Sequence, residues 1–365
     1  MAQILTFIGK GGVGRSTVAI AAAHQLAEGG QRVLLASQDP SPVFGQLLGQ
    51  PLTTTPQAIV PNLWGVQFQA PELMATLWDE EVKEREARYL RFPILHTVYG
   101  QELGIFPGMD AALALYTIRG YNASDAYDVI VYDGLGDLTT LRTLSIPETG
   151  GWYLRRFRKL ILESDLGRTI APFIQPITAA VLNFNWSWEN FAEQPSQEAA
   201  EMLEEGTIAL ADPKRVLAYL VTTTDASATA IAQYYWGSAQ QAGISVGGVI
   251  WNQTSPTPEQ QTAFAPLVQT ELINHGGDWR SLVGKLPNFG AIDHIPQALT
   301  IDVPARQVRA FLPGFTKEQV KLTQYGPELT IEAGDQRRNI LLPPPLKGQP
   351  VKSAKFQDHY LIISL

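Results

Sequence analysis

The sequence predicts an α/β protein: a doubly wound, mainly parallel sheet of the P-loop NTPase kind with a helical insert, plus a small all-β sandwich at the C-terminus. Three observations predict it. Uninterrupted apolar runs alternate with helix-forming segments through about residue 290, the pattern of strands covered on both faces by crossover helices. The first run, Ile4-Leu5-Thr6-Phe7-Ile8, enters a glycine-rich turn, Gly9-Lys10-Gly11-Gly12-Val13-Gly14, and then Val18-Ala19-Ile20-Ala21-Ala22-Ala23, so strand, glycine loop and helix follow one another. Near residue 301 the texture changes, and short alternating segments cut by Pro and Gly replace helices. The expected division is 1–300 and 301–365, with helical insert regions at about 70–120 and 150–211.

The loop is the most specific feature. Glycines let successive backbone N–H groups converge on phosphate oxygens, and the helix N-terminus adds partial positive charge. Gly9-x-Gly11-x-x-Gly14 also fits a dinucleotide fingerprint, with Asp39 near the end of the next strand as a ribose-binding acid. The mononucleotide reading has more support, because Arg15-Ser16-Thr17 adds a basic group and two hydroxyls that a site for Mg²⁺ and a nucleoside triphosphate uses. A turn that binds nothing is the plain alternative. Gly9, Lys10, Gly11, Gly12, Val13, Gly14, Arg15, Ser16 and Thr17 are the expected nucleoside-triphosphate contacts, with Ser16 on Mg²⁺.

The remaining elements follow in order. The first helix runs from about Ser16 to Glu28 and stops at Gly29-Gly30. Val33-Leu34-Leu35-Ala36 is the second strand; it ends in Ser37-Gln38-Asp39-Pro40, where Asp39 is either a site residue or the start of a local turn. Residues 51–66 are rich in Pro and Thr, with an extended piece around Leu63–Phe68. Pro71–Phe92 has helical spacing, with Leu73, Leu77, Tyr89 and Leu90 inward and a charged face outward. Asp110 opens a helix, with N-capping as its plain role. Tyr127–Asp133 is a third buried strand ending in an acid, where a P-loop protein holds Mg²⁺ or its water shell. Arg215–Thr224 is the fourth, Asp225–Gln241 its return helix, and Val246–Gln253 the fifth, ending in Asn252-Gln253. After residue 301 short strands are expected at 305–312, 319–324, 328–333, 337–342, 351–357 and 360–365.

Lys10, placed early in the loop, resembles the signature lysine of the deviant P-loop class that contains ArsA, MinD and ParA. Gln38-Asp39-Pro40 resembles switch I of the ArsA family. Asp133-Gly134-Leu135-Gly136-Asp137-Leu138-Thr139-Thr140-Leu141-Arg142 with Pro147 resembles its switch II, with Gly136, Leu138 and Thr139 in place of the usual proline, glycine and histidine. The resemblance to ArsA and guided-entry (tail-anchored protein targeting) ATPases implies a homodimeric ATPase. Asp39 would position the attacking water, and Lys10 would reach the opposite subunit's nucleotide. Ser16 and Asp133 would hold Mg²⁺. Asn252 would meet the adenine edge, with Pro287 in the loop beside the base. Arg15 stands where the family has lysine; it keeps the charge but as a planar fork, which puts the hydrolysis rate in doubt. Leu312–Leu322 closely resembles the α-crystallin domain of small heat-shock proteins, and Ala354, Asp358, His359 and Leu361 follow that domain's later signature with His359 in place of glycine. Such a module, seen without flanking extensions, is expected to act as a lid or dimer support.

Composition narrows the partners. Charged residues are 17% of the chain and the net charge is −8, which argues against nucleic acid as the main partner. With Cys 0, disulfides, thiolate zinc sites and a thiolate arsenite site are excluded. No apolar run reaches the ~20 residues that span a bilayer, and the chain enters its first strand directly, so a cytoplasmic protein without a stable membrane anchor is expected. The aromatics Trp152, Tyr153, Phe157, Phe184, Trp186, Trp188 and Phe191 would form either a groove for a hydrophobic protein client, such as a tail-anchored membrane protein, or a helical subdomain's own core. A nucleotide sensor with little hydrolysis, a metalloid-pump ATPase and a MinD- or ParA-like positioning protein are the rival classes.

Overall fold

The computed structural model describes residues 1–77, 108–153, 195–273, 276–292 and 295–365. The expected helical face beyond Leu77 and the aromatics from Phe157 to Phe191 lie outside the described residues.

An eight-stranded sheet runs in the order β3-β4-β2-β5-β1-β6-β7-β8. Its strands are β1 (Gln3–Ile8), β2 (Val33–Ser37), β3 (Gln57–Val60), β4 (Leu63–Gln67), β5 (Val129–Asp133), β6 (Val216–Thr222), β7 (Ser245–Asn252) and β8 (Val268–Leu272). All neighbours are parallel except β3 and β4. The chain leaves β1 in one direction for β2 and later crosses to β6 on the other side. The carboxyl ends of β1 and β5 therefore flank the topological switch point, where ligands of such sheets sit.

Period-two alternation divides each strand between two cores. Leu5, Phe7, Val33, Leu35, Val129 and Val131 pack under α1 (Arg15–Glu28). Leu34, Ala36, Ile130, Tyr132, Ala218 and Leu220 pack on the opposite face. That face carries α4 (Met109–Ala123), α5 (Leu138–Leu144), α6 (Pro195–Ala211) and α7 (Ala226–Gln241), while the shorter α2 (Val43–Leu48) and α3 (Ala70–Leu77) follow β2 and β4. The five expected strands are present. β3 and β8 are edge strands with alternating or largely exposed residues, so they leave no continuous apolar run. At α4 the N-cap is Gly108 at φ 87°, and Asp110 sits inside the first turn rather than capping it.

The C-terminal module is a sandwich of a four-stranded sheet, β14-β15-β10-β9, and a three-stranded sheet, β11-β12-β13. The strands are β9 (Leu299–Asp302), β10 (Gln307–Phe311), β11 (Val320–Tyr325), β12 (Glu328–Ala333), β13 (Gln336–Leu341), β14 (Ser353–Gln357) and β15 (Tyr360–Ser364). β9 pairs with β10, so the module begins just ahead of residue 301. The β14–β15 turn places Asp358 and His359 at φ 50° and 62°, the left-handed region that favours glycine, which His359 occupies instead.

The module lies directly on the sheet's helices. Trp236 of α7 packs edge-on against Phe311 at 5.7 Å, and Tyr234 against Phe315 at 5.7 Å. A Cβ on Gly237 would fall 2.2 Å from the Pro313 carbonyl oxygen, so only glycine lets the two backbones approach this closely. Arg338 donates to Glu148 at 3.3 Å and to the Gln240 carbonyl at 3.1 Å. Arg142 of α5 pairs with Asp335.

Candidate functional site

β1 delivers the chain to the loop, and β6 presses on it: a Cβ on Gly9 would meet the Val221 carbonyl oxygen at 2.1 Å. Gly12 and Gly14 run at φ +83° and +90°. Around Gly11 and Gly12 a Cβ would meet nothing within 4 Å, so the loop is an open cradle. Gly14 caps α1 without any side-chain hydrogen bond, which leaves the first-turn N–H groups to the cradle.

Ser16, in the first turn of α1, lies near enough to the Asp133 carboxyl at the end of β5 to favour its ionised form. Asp133 is buried, and burial pushes its carboxyl up to about 6; Ser16 and the Arg15 charge act against this, and the charge of Asp39 adds to it. Gln38 N–H donates to the Asp133 carbonyl at 2.9 Å, which sets Asp39 beside the same strand end. Opposite Asp133 in the β2–β5 register stands Ser37, fully buried, whose Oγ has no hydrogen-bond partner among the described residues.

The switch II segment is tied to the loop at two points. Gly9 N–H donates to the Gly136 carbonyl at 3.0 Å, and Arg15 Nη1 donates to the Leu135 carbonyl at 2.5 Å. Gly136 runs at φ +69°, and a Cβ there would overlap the Arg15 guanidinium. The planar fork of Arg15 therefore lies across a glycine in the segment that resembles switch II.

Asp39 forms the local turn: its Oδ1 accepts the Ser41 N–H at 2.9 Å. Its carbonyl and that of Ser41 both accept from Gln67 Nε2 at 2.7 Å. No sequence signal beyond a polar strand end pointed to Gln67.

The Lys10 side chain and Pro287 are held by other partners, and Asn252 lies against the loop itself. Lys10 Nζ rests on Asp225 Oδ1 at 3.5 Å and on the Ser227 hydroxyl, at the N-cap of α7. Asp225 is brought down to about 2, first by the Ser227 hydrogen bond, then by the Ala228 N–H and Lys10. Asn252 is 2% exposed, and its amide nitrogen donates to the Val13 carbonyl at 2.8 Å, so it props the loop from beneath. The Pro287 carbonyl accepts from Gln25 of α1 at 3.4 Å. Gln25 lies about 15 Å along α1 from Arg15 at 1.5 Å per residue, so Pro287 is not gathered with the phosphate cradle.

The donor set fits a Mg²⁺–triphosphate ligand: an open backbone cradle is followed by a guanidinium and a serine hydroxyl in the first turn of α1, and a buried carboxyl ends the neighbouring strand β5. Among the described residues no cluster of three or more His, Cys, Asp and Glu assembles, and no helix is long and apolar enough to cross a membrane.

Comparison with known proteins agrees with this geometry. The model of the anion-transporting ATPase family (ArsA) matches residues 2–270, and the model of the HSP20-like domain found in ArsA matches residues 305–365. A putative arsenical pump-driving ATPase of Prosthecochloris vibrioformis is 32% identical over 158 residues, 43% of this chain and 39% of the relative. An ATPase ASNA1 homolog of Cryptosporidium parvum is 32% identical over 38% of this chain and 36% of its own. The match with these two relatives thus spans well under half of their length. A putative arsenical pump-driving ATPase 1 of Aquifex aeolicus aligns along 99% of both chains at 21% identity.

Proposed function

Because the chain belongs to the anion-transporting (ArsA) ATPase family, we propose that it binds and hydrolyses ATP with Mg²⁺ at the loop spanning Gly9 to Thr17. The observation that carries this reading is an open glycine loop between β1 and α1, with the buried Asp133 at the carboxyl end of the neighbouring β5 and Asp39 just past that of β2. Mg²⁺, when bound, supplies positive charge to the transferring phosphoryl group. Ser16 and Asp133 are the residues that would hold it, Asp133 directly or through water. Backbone N–H groups from Gly11 to Thr17 bind phosphate oxygens, and the Arg15 guanidinium adds charge to them. Asp39 orients the attacking water, with its main chain anchored by Gln67. Single-turnover measurement with Mg-ATP tests this. Wild-type protein is expected to turn over, and Asp39→Asn to lose about a hundredfold or more. Unimpaired hydrolysis in Asp39→Asn would sink the assignment.

The finer reading is a homodimer in which hydrolysis rearranges the subunits and gates a hydrophobic protein client, such as a tail-anchored protein. In it Lys10 leaves Asp225 for the partner's nucleotide. Contact of Asn252 and Pro287 with adenine rests on the resemblance alone. Among the described residues, open apolar recesses border the expected client regions between α4 and α6, about 290 Å³, and between α3 and α4, about 410 Å³. A second reading, a nucleotide sensor with little hydrolysis, is favoured by one observation: Arg15 is hydrogen-bonded to switch II.

A further inference from the structure

Gln67 is the last residue of β4 and is 5% exposed. A buried amide must find partners, and the partners here belong to a functional turn rather than to the sheet. Its Nε2 lies 2.7 Å from the Asp39 carbonyl oxygen and 2.7 Å from the Ser41 carbonyl oxygen. An amide nitrogen has two N–H donors, and both are engaged, one on either side of Pro40. An oxygen in that position would face two acceptors with no proton between them, so the orientation of the amide is fixed.

The backbone beneath this side chain is held as firmly. Gln67 pairs with Ser37 in the parallel β2–β4 register, its N–H donates to the Thr53 carbonyl at 2.9 Å, and the Phe68 N–H donates to the Ser37 carbonyl at 2.8 Å. Within the turn, Pro40 restricts its own φ and the Asp39 carboxylate accepts the Ser41 N–H. The turn is closed on itself and pinned to a rigid strand by one side chain. A site held this way keeps its geometry because the support, not the loop, defines it.

We infer that Gln67 is the positioning residue of switch I: by donating to the carbonyls of Asp39 and Ser41, it sets where the Asp39 carboxylate stands relative to the phosphate cradle. The inference rests on the reading that Asp39 orients the attacking water. Gln67 touches neither nucleotide nor water in this account; it acts through Asp39. Asparagine, one methylene shorter, cannot serve both carbonyls from the same strand position. Glutamate keeps the length but offers only acceptors.

The test compares wild type, Gln67→Met, Gln67→Glu, Asp39→Asn and the double variant Asp39→Asn/Gln67→Met. Each is measured for single-turnover hydrolysis over long times, for ATP and ADP affinity by calorimetry, and for thermal midpoint. Gln67→Met is expected to slow hydrolysis about tenfold or more, since a misplaced catalytic geometry costs rate, while nucleotide Kd stays within about threefold of wild type. In the Asp39→Asn background the same change is expected to slow the residual rate by less than about twofold, because the two residues act as one unit. Gln67→Glu is expected to match or exceed the loss in Gln67→Met.

Three results overturn the inference: a wild-type rate in Gln67→Met, an equal loss with and without the Asp39 carboxylate, or a Kd that weakens in step with the rate. Unfolding of both Gln67 variants also overturns it, since the bond is then structural. If wild type does not hydrolyse ATP, or Asp39→Asn hydrolyses it normally, the functional reading fails and the inference with it. If Asp39→Asn alone loses activity, only the inference fails.

Discussion

Asp133 is a buried carboxyl beside Ser16, Arg15 and Asp39, and burial lifts it to about 6 from an ordinary value of 3.8. A carboxyl raised in the folded state binds its proton more tightly there than in the unfolded chain. Between about pH 4 and 6 the native state therefore holds more protons, and stability falls as pH rises through that window. Without Mg²⁺ or nucleotide, wild type is expected to lose thermal midpoint relative to Asp133→Asn as pH rises from about 4 to 6. A difference that stays flat across the window would contradict this. Arg15 and Gly136 form another residue-level unit, since any side chain at Gly136 would occupy the guanidinium's place. The Arg15-Ser16-Thr17 run was legible because a phosphate loop dictates residue types at fixed spacing. Gln67 was not, because a buried amide at a strand end has no spacing rule, and its partners are main-chain carbonyls that any residues would supply. Of the alternatives posed for Asp39, the structure contains the local turn, in which one carboxylate oxygen accepts the Ser41 N–H.

Among the elements, α7 and α5 carry the junction between sheet and sandwich. Arg338, on β13, is 9% exposed at its side chain and Glu148 18%, so their pair is largely withdrawn from water. Removing one partner leaves the other charge buried without compensation, which costs about 3 kcal/mol. Arg338→Ala is expected to lower stability by about that amount in urea unfolding, with Arg338→Met/Glu148→Leu recovering much of it. A cost under about 1 kcal/mol for Arg338→Ala would show that Glu148 stays solvated. The strands β1, β2, β5, β6 and β7 were legible because both their faces are covered, which demands unbroken apolar runs. β8, with Val268 52% exposed at the sheet's edge, carries no such demand. The sandwich strands were found from Pro and Gly spacing, whereas β9 was not, because its four residues are no longer than a turn and owe their strand state to β10.

For the whole molecule, the sheet and the sandwich share a core rather than a linker. Trp236, 1% exposed, lies between Phe264 and Phe311, one aromatic from each part. Parts of a chain joined by a mobile linker melt separately; parts that complete each other's core do not. Calorimetry of the full chain is expected to give one cooperative transition, and two resolved transitions would refute a shared core. The sequence located both parts, but their docking depends on Gly237 and Gly314, whose roles appear only when two distant backbones meet.

The pairing of Arg142 with Asp335 carries one consequence further. α5 begins immediately after the Leu135–Gly136 stretch that touches Gly9 and Arg15, and its other end grips the β12–β13 hairpin. A short helix transmits displacement along its axis almost undiminished. A shift of that segment along the α5 axis would load this exposed ion pair. The hairpin tip and the glycine loop are thus joined through α5 and the exposed Arg142–Asp335 contact.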